Sequence, residues 1–320
     1  MALIGIARLA SESELLEAKS RVTYFEIAAR RILNRTKPNM PFQWTINPYR
    51  GCEFGCKYCY ARYTHEYMEL DVQDFEDKIY AKPAAADRVR LELRRIDRKD
   101  HIAIGTATDP YQPAERRFGR TRSILEAFAR ERGRHLGITT KSDLIVRDLE
   151  LLREIARANV LSINITITTL DEKLARLMEP RAPRPALRLK AVRQLAQAGL
   201  VVGVFPNPIM PLLTDSERAL DRLARRARDA GAQYFGAGPL FLMPCAQKVL
   251  LPWLEDNFPA LALDYRKLFE HSAYLGSGAK RILRARVEKI RDRYGLNSGP
   301  LEYRPELWLG EEQASFELRD

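Results

Sequence analysis

Residues 44–60 read WTINPYRGCEFGCKYCY, an apolar, β-rich run followed at once by three cysteines. Trp44–Tyr49 has the composition of a strand. Gly51 and Gly55 punctuate the loop behind it and allow tight turns around Cys52, Cys56 and Cys59, which stand in C-x3-C-x2-C spacing. Three thiols on one loop can serve one metal centre. The fourth cysteine, Cys245, lies far downstream, so a disulfide framework is not indicated. A structural zinc site ordinarily has four protein ligands, and here it would need Cys245 or one of His65, His101, His135 and His271 to complete it. A 4Fe–4S cluster on three cysteines leaves one iron open to an outside ligand.

Outward from this loop the chain alternates strands and helices. Further strand-like runs are His101–Thr106, His135–Thr140, Leu161–Thr168, Leu200–Phe205 and Gln233–Gly238. Between them, Arg88–Ile96, Ser123–Arg132, Asp148–Ala158, Pro185–Ala198 and Ser216–Ala230 carry apolar residues at helical period. Asp148, and Asp215 or Ser216, are placed to cap helix starts, while Gly133, Gly199 and Gly231 follow helix ends. This alternation implies an α/β protein with a parallel sheet, as a barrel, a partial barrel or an open doubly wound sheet. Polar, Gly- or Pro-bearing loops follow four of the strands: RGCEFGC, TATDPYQP, TTKSD and PNPIMP. They fall on one sheet edge, where parallel α/β folds gather ligand-binding groups. Residues 1–43 read as a helical lead-in ending in the linker TKPNMP, 44–240 as the catalytic α/β unit, and 241–320 as a helical cap (Leu261–Glu270, Ala279–Tyr294) with an irregular tail.

The length of 320 residues, with 46% hydrophobic and 30% charged residues, suits a core-forming globular chain. No apolar run approaches the ~18 residues of a membrane span, and the opening MALIGIARLASESE is a poor secretory signal, so a cytoplasmic location without membrane attachment is expected. The formal charge of +11 suits a polyanionic partner, nucleic acid first. Arg116–Arg122 carries Phe118 among four arginines, a composition able to stack on bases, with Arg88–Arg98 and Arg181, Arg184 and Arg188 as further basic groups.

The cysteine loop behind the first strand of such an alternation resembles the radical S-adenosylmethionine (SAM) superfamily, whose C-x3-C-x2-C signature has an aromatic residue before its last cysteine, here Tyr58. NPYRGCEFGCKYCYARYTHEY (47–67), IGTATDPYQPAE (104–115), TTKSD (139–143), SINITITTLDEKLARLMEPRAPRPALRLKAVRQLAQAGL (162–200) and PNPIMPLLTD (206–215) are similar to the spore photoproduct lyase-like, or DNA repair photolyase-like, branch. The resemblance implies a partial (β/α)6 barrel and a 4Fe–4S cluster on Cys52, Cys56 and Cys59 whose open iron is chelated by SAM. It also implies one-electron cleavage of SAM, with a donor such as flavodoxin or ferredoxin, to a 5′-deoxyadenosyl radical that takes hydrogen from a substrate. As SAM contacts it implies Thr106, Thr108 or Asp109 for the amino group, Lys141 for the carboxylate, and Ser162 and Asn164, which share a strand face, for the ribose or carboxylate. Tyr58 joins them beside the cluster. Glu179 and Arg181 read as an ion pair or as binding groups.

One departure bears on the reaction. The lyase returns hydrogen from a cysteine in the segment after the second strand, and Gly105–Asp109 has none. A threonine O–H bond is too strong for that role, which leaves Tyr60, Tyr111 and Cys245 as candidates. The competing readings are a radical SAM enzyme acting on a peptide or small metabolite, and a non-catalytic zinc-binding nucleic-acid module.

Overall fold

In a computed structural model, residues 3–83 and 86–307 are described. The strands in chain order are β1 (Glu14–Ala18), β2 (Thr23–Glu26), β3 (Leu33–Arg35), β4 (Trp44–Ile46), β5 (Tyr49–Arg50), β6 (Lys78–Ala81), β7 (His101–Ile104), β8 (His135–Thr140), β9 (Val160–Thr166), β10 (Val201–Phe205) and β11 (Tyr234–Phe235). Five of the six runs expected to be strands lie in one sheet of order β11-β10-β9-β8-β7-β4-β3, and the remaining run, Trp44–Tyr49, divides: Trp44–Ile46 is β4 of that sheet, whereas Tyr49 begins β5 of another. From β4 to β11 its neighbours are parallel, and β3 adds an antiparallel edge.

The strands alternate more than a doubly covered parallel sheet would. Leu136, Ile138, Leu161, Ile163, Ile165, Val202 and Val204 face outward into the main apolar core. The helices Ala86–Leu93, Arg120–Ala129, Leu149–Ala158, Pro185–Gln197 and Glu217–Asp229 cover that face. The inward face carries small or polar residues: Gly137, Thr139, Ser162, Asn164 and Gly203. On this face the Tyr234 ring lies against Gly203 and its hydroxyl donates to Ile163 O and Asn164 Oδ1, both at 2.8 Å.

The expected helical lead-in is only Gly5–Ser11; after it the chain forms strands. β1, β2, β6 and β5 make a second, four-stranded sheet, with Val22, Tyr24, Tyr49, Ile79 and Ala81 packed on one side. The pairing is long-range, Thr23 opposite Lys78, so local periodicity does not reveal it. TKPNMP is likewise no domain linker: it turns the β3–β4 hairpin, whose strands pair Arg35 with Trp44.

The C-terminal part divides. The helix Pro244–Asn257, not expected from the sequence, and Pro259–Leu268 pack beside the cysteine loop. The helix Ser277–Tyr294 lies against Glu217–Asp229, with the Tyr294 hydroxyl donating to Asp221 at 2.8 Å. The described part of the tail, up to Leu307, runs away from the loop-bearing edge. Tyr303 binds Leu161 N and Asn159 O at 2.8 and 3.0 Å, at the start of β9 and the opposite end of the sheet. The expected tail beyond Leu307 lies outside the described residues.

Candidate functional site

The cysteine loop leaves β5 through Gly51, whose φ is +80° and where a Cβ would stand 2.7 Å from Lys78 O. Glycine is therefore required there. Cys52 N donates to Phe75 O at 2.9 Å, and Gly51 O accepts from the Thr108 hydroxyl at 2.6 Å and from Gln112 Nε2 at 3.1 Å. Gln112 Oε1 takes Glu53 N at 2.9 Å. The loop after β7 thus braces the cysteine loop. Arg62, fully buried beneath it, reaches Val72 O at 2.7 Å, Cys56 O at 3.2 Å and the Glu76 carboxylate. From the far side, Lys57 N donates to Met178 O and Arg181 N to Phe54 O, at 2.9 and 3.3 Å.

Cys52, Cys56 and Cys59 line one cavity of about 860 Å³, together with Tyr58, Tyr60, Thr106, Thr108, Asp109 and Lys141. All four cysteines are free thiols. Among the described residues no three His, Cys, Asp or Glu side chains are grouped to hold a single metal ion. Thiolates around one zinc would all lie about 2.3 Å from it, whereas a cluster gives each thiolate its own iron. Three free thiols lining one cavity, with no fourth His, Cys, Asp or Glu grouped with them among the described residues, suit the second donor set. Burial raises all three thiols, Cys56 to about 12, so they stay protonated until a cation replaces the proton.

Behind Cys56 lies a closed polar network. Burial alone would raise Glu179, but the Arg188 and Lys141 cations reverse it and hold its carboxyl below the usual range. Glu179 accepts from Arg188 at 2.5 Å, Thr168 at 2.9 Å and the Tyr58 hydroxyl. Lys141 Nζ lies 5.6 Å from the Tyr58 ring centre. Burial pulls this ammonium down, yet the Cys56 and Glu179 groups outweigh it and hold it above its ordinary value.

The expected contacts divide into braces and open groups. Asp109 accepts from the Thr140 hydroxyl, Tyr111 N and Lys141 N at 2.6, 2.9 and 2.7 Å, so its carboxylate ties β7's loop to β8's. Thr108 donates to Gly51 O and accepts from Gln112, leaving it no donor for a ligand. Thr106 exchanges with the Asn47 amide at 3.1 Å and keeps its place on the cavity wall. Ser162 and Asn164 do share the inward face but lie below the cavity lining, where Asn164 also donates to Thr139 at 3.1 Å.

Of the three candidate hydrogen donors, Tyr60 lines the cavity, its hydroxyl donating to Thr106 O. Tyr111 is buried in the outer core near Asp148 and Glu115. Cys245 lies behind Tyr60, its thiol 3.3 Å from Tyr60 O. Glu179 does not pair with Arg181, which instead binds Asp77 at 2.9 Å. Asp148 stands at the N-cap position of Leu149–Ala158 but its side chain makes no capping bond and holds Arg122 and Arg147 at 2.6 and 2.7 Å, whereas Ser216 caps with its side chain, accepting from Ala219 N.

The Arg116–Arg122 stretch is not a free basic patch. Arg117 pairs with Glu17, Arg120 with Glu26 at 2.5 Å and Arg122 with Asp148, while Phe118 packs edge-on against Tyr24. Besides Lys141, the cations that do line the cavity are Arg35, Lys37, Arg50 and Lys82, which composition did not single out. Arg50 stood in plain view, next to Gly51 and Cys52 in the motif. An aromatic run borders them: Tyr67 on Tyr63, Tyr63 on Tyr60, Tyr60 beside Phe241 and Phe241 stacked on Tyr274, at centroid distances of 5.3, 6.4, 6.1 and 4.5 Å.

Residues 46–225 match the family model described as the Radical SAM superfamily. An uncharacterized protein of Mycobacterium tuberculosis is 36% identical over 280 residues, covering 86% of this chain and 82% of its own length. Another, from Methanocaldococcus jannaschii, is 30% identical over 245 residues, covering 75% and 85%. Among solved structures, spore photoproduct lyase complexed with dinucleoside spore photoproduct superposes with a TM-score of 0.66 at 15% identity, covering 85% of this chain and 79% of the lyase. That likeness is one of fold.

Proposed function

The chain belongs to the radical SAM superfamily of enzymes, and from that premise we propose that it acts on a nucleic-acid strand drawn into the cysteine-lined cavity. Family membership sets aside the reading of a non-catalytic zinc module and implies a 4Fe–4S cluster and SAM. Among the described residues no helix is long and apolar enough to cross a membrane. When bound, the cluster and SAM supply a 5′-deoxyadenosyl radical at the cost of one electron, for which a flavodoxin or ferredoxin is the class of donor we propose. Cys52, Cys56 and Cys59 would hold the cluster.

The protein's own part is placement. Lys141, backed by Glu179 and Tyr58, offers a fixed ammonium to the SAM carboxylate. Thr106 presents a hydroxyl from the same wall, and we assign Thr108 and Asp109 to bracing that wall. Ser162 and Asn164 are retained as contacts for a ribose reaching below the cavity lining. Tyr60, at the boundary between the cysteine loop and the aromatic run, is the side chain we retain as hydrogen donor. Residues 44–240 are taken as the catalytic unit; the described parts of 1–43 and 241–320 then add to its entrance and its outer layers.

The aromatic run carries the choice of substrate class. Tyr67 and Tyr274 are 65% and 55% exposed, and Lys280 sits 4.8 Å over the Tyr274 ring. Exposed rings in series beside cations form a platform on which successive bases stack irrespective of sequence. A globular peptide substrate would not require such a ladder. The test is anaerobic reconstitution with SAM, reductant and either single-stranded oligonucleotides or peptides. Oligonucleotide-stimulated release of 5′-deoxyadenosine, carrying deuterium from a labelled strand, is expected. Stimulation by peptides alone would refute the reading.

A further inference from the structure

The small sheet contributes two cations to the cavity that form no ion pair with an anion among the described residues. β5 and β6 pair Tyr49 with Ala81 and Arg50 with Tyr80, and Lys82 N extends the ladder to Pro48 O at 3.0 Å. Strand alternation sends Tyr49, Ile79 and Ala81 to the apolar side and Arg50, Tyr80 and Lys82 to the other. Arg50 and Lys82 are diagonal neighbours there and both line the cavity. Lys82 is only 7% exposed and Arg50 is half-buried.

Among the described residues neither head group makes a hydrogen bond or an ion pair. Glu92 is the carboxylate that acts on Lys82, but its oxygens are already occupied by Ile32 N and Leu33 N at 3.0 and 2.8 Å. Burial, and then Arg50, pull the Lys82 ammonium down to about 7. Other cations around the cysteine loop are matched: Arg62 with Glu76, Arg188 with Glu179, Arg181 with Asp77. A buried lysine beside a half-buried arginine, with no ion pair for either, is costly in a finished fold. The cost is recovered when an anion enters.

We infer that Arg50 and Lys82 form an anion subsite that receives a phosphodiester of the strand whose bases stack on the neighbouring tyrosines. This rests on the nucleic-acid reading above. A planar guanidinium beside a compact ammonium suits the oxygens of a tetrahedral phosphate. Tyr63 lines the same cavity and lies close enough to Arg50 for the two groups to act on each other, so its ring is at hand for the adjoining base. Contacts of this kind fix the register of a strand without reading its sequence.

The test compares two ligands on the reconstituted, SAM-loaded protein by calorimetry: thymidine dinucleotide and its uncharged methylphosphonate analogue. The phosphodiester should bind at least tenfold more tightly. Lys82→Met and Arg50→Gln should each bring the ratio close to one and reduce the log–log salt slope by about one, while Lys82→Arg should keep both. An unchanged ratio in Lys82→Met and Arg50→Gln overturns the subsite even if the dinucleotide binds, and leaves the nucleic-acid reading standing. Inorganic phosphate is the second probe. Phosphate binding that depends on Lys82, with no dinucleotide binding, supports an anion subsite and refutes the nucleic-acid reading. Binding of neither probe overturns the subsite. Lys82→Met removes a buried charge, so its melting temperature should not fall; a drop of more than about 5 °C would reveal an internal partner for Lys82 and overturn the inference.

Discussion

The cysteine loop and the small sheet reach the same cavity from adjoining stretches of chain, yet they treat charge in opposite ways. On the cysteine side the buried carboxylates behind the thiols are matched: Glu179 meets Arg188 at 2.5 Å and Asp109 accepts three donors, although Glu53 Oε1 has no hydrogen-bond partner among the described residues. On the small-sheet side Arg50 and Lys82 stand side by side with none among the described residues. Balanced charges lock geometry, and unbalanced ones wait for a ligand. The surface stretch Arg116–Arg122 makes the same point from outside. Most of its positive charge is spent on Glu17, Glu26 and Asp148, so a run of arginines is not by itself a binding site.

The comparison is broken most completely at the sulfur ligands. Cys56→Ala should abolish both iron–sulfur absorbance and 5′-deoxyadenosine release in the reconstituted enzyme. Next in size, Glu179→Ala strands Arg188 in a fully buried position and should cost about 3–5 kcal/mol in urea unfolding. Lys82→Met, on the other side, should cost nothing. A comparable loss in both variants would erase the distinction.

The small-sheet side also hides a titration. His65 is fully buried against Phe75 and Tyr80, and burial pulls it to about 4. In the unfolded chain it titrates near 6.5. Between those values the unfolded chain binds a proton that the folded one refuses, so stability must fall as pH falls through that window. About 2 kcal/mol should be lost from pH 6.5 to 5, and His65→Gln should flatten that slope in urea melts. A smaller effect is expected at Lys141→Met: SAM affinity should drop about tenfold with the cluster spectrum intact, and Lys82→Met should leave SAM affinity alone. Smallest is Arg120→Ala, which breaks a part-exposed pair with Glu26. It should change stability by less than about 1 kcal/mol and leave dinucleotide binding untouched.

What the sequence revealed follows the range of the interactions concerned. The main-sheet strands and their covering helices are local patterns, and the cysteine spacing is a local motif. Gly133, Gly199 and Gly231 take the positive φ expected of helix ends. The small sheet escaped because Glu14–Ala18 and Thr23–Glu26 are short, and their local hairpin joins a sheet only where Thr23–Glu26 pairs with Lys78–Ala81, more than fifty positions on. Lys82 escaped for the same reason, since only the register of β5 on β6 brings it beside Arg50. Pro244–Asn257 escaped because Pro252 interrupts its pattern. Tyr60 and Tyr111 looked alike in sequence; tertiary packing alone put one on the cavity wall and the other in the outer core.

Gly203 decides how closely a ring can lie on the inward face of the sheet. A single added methyl carbon there would meet the Tyr234 ring at 2.2 Å. Through its hydroxyl that ring holds Ile163 O and Asn164 Oδ1. With alanine at the position the ring has to lift and both contacts break, so Asn164 loses the partner that aims it.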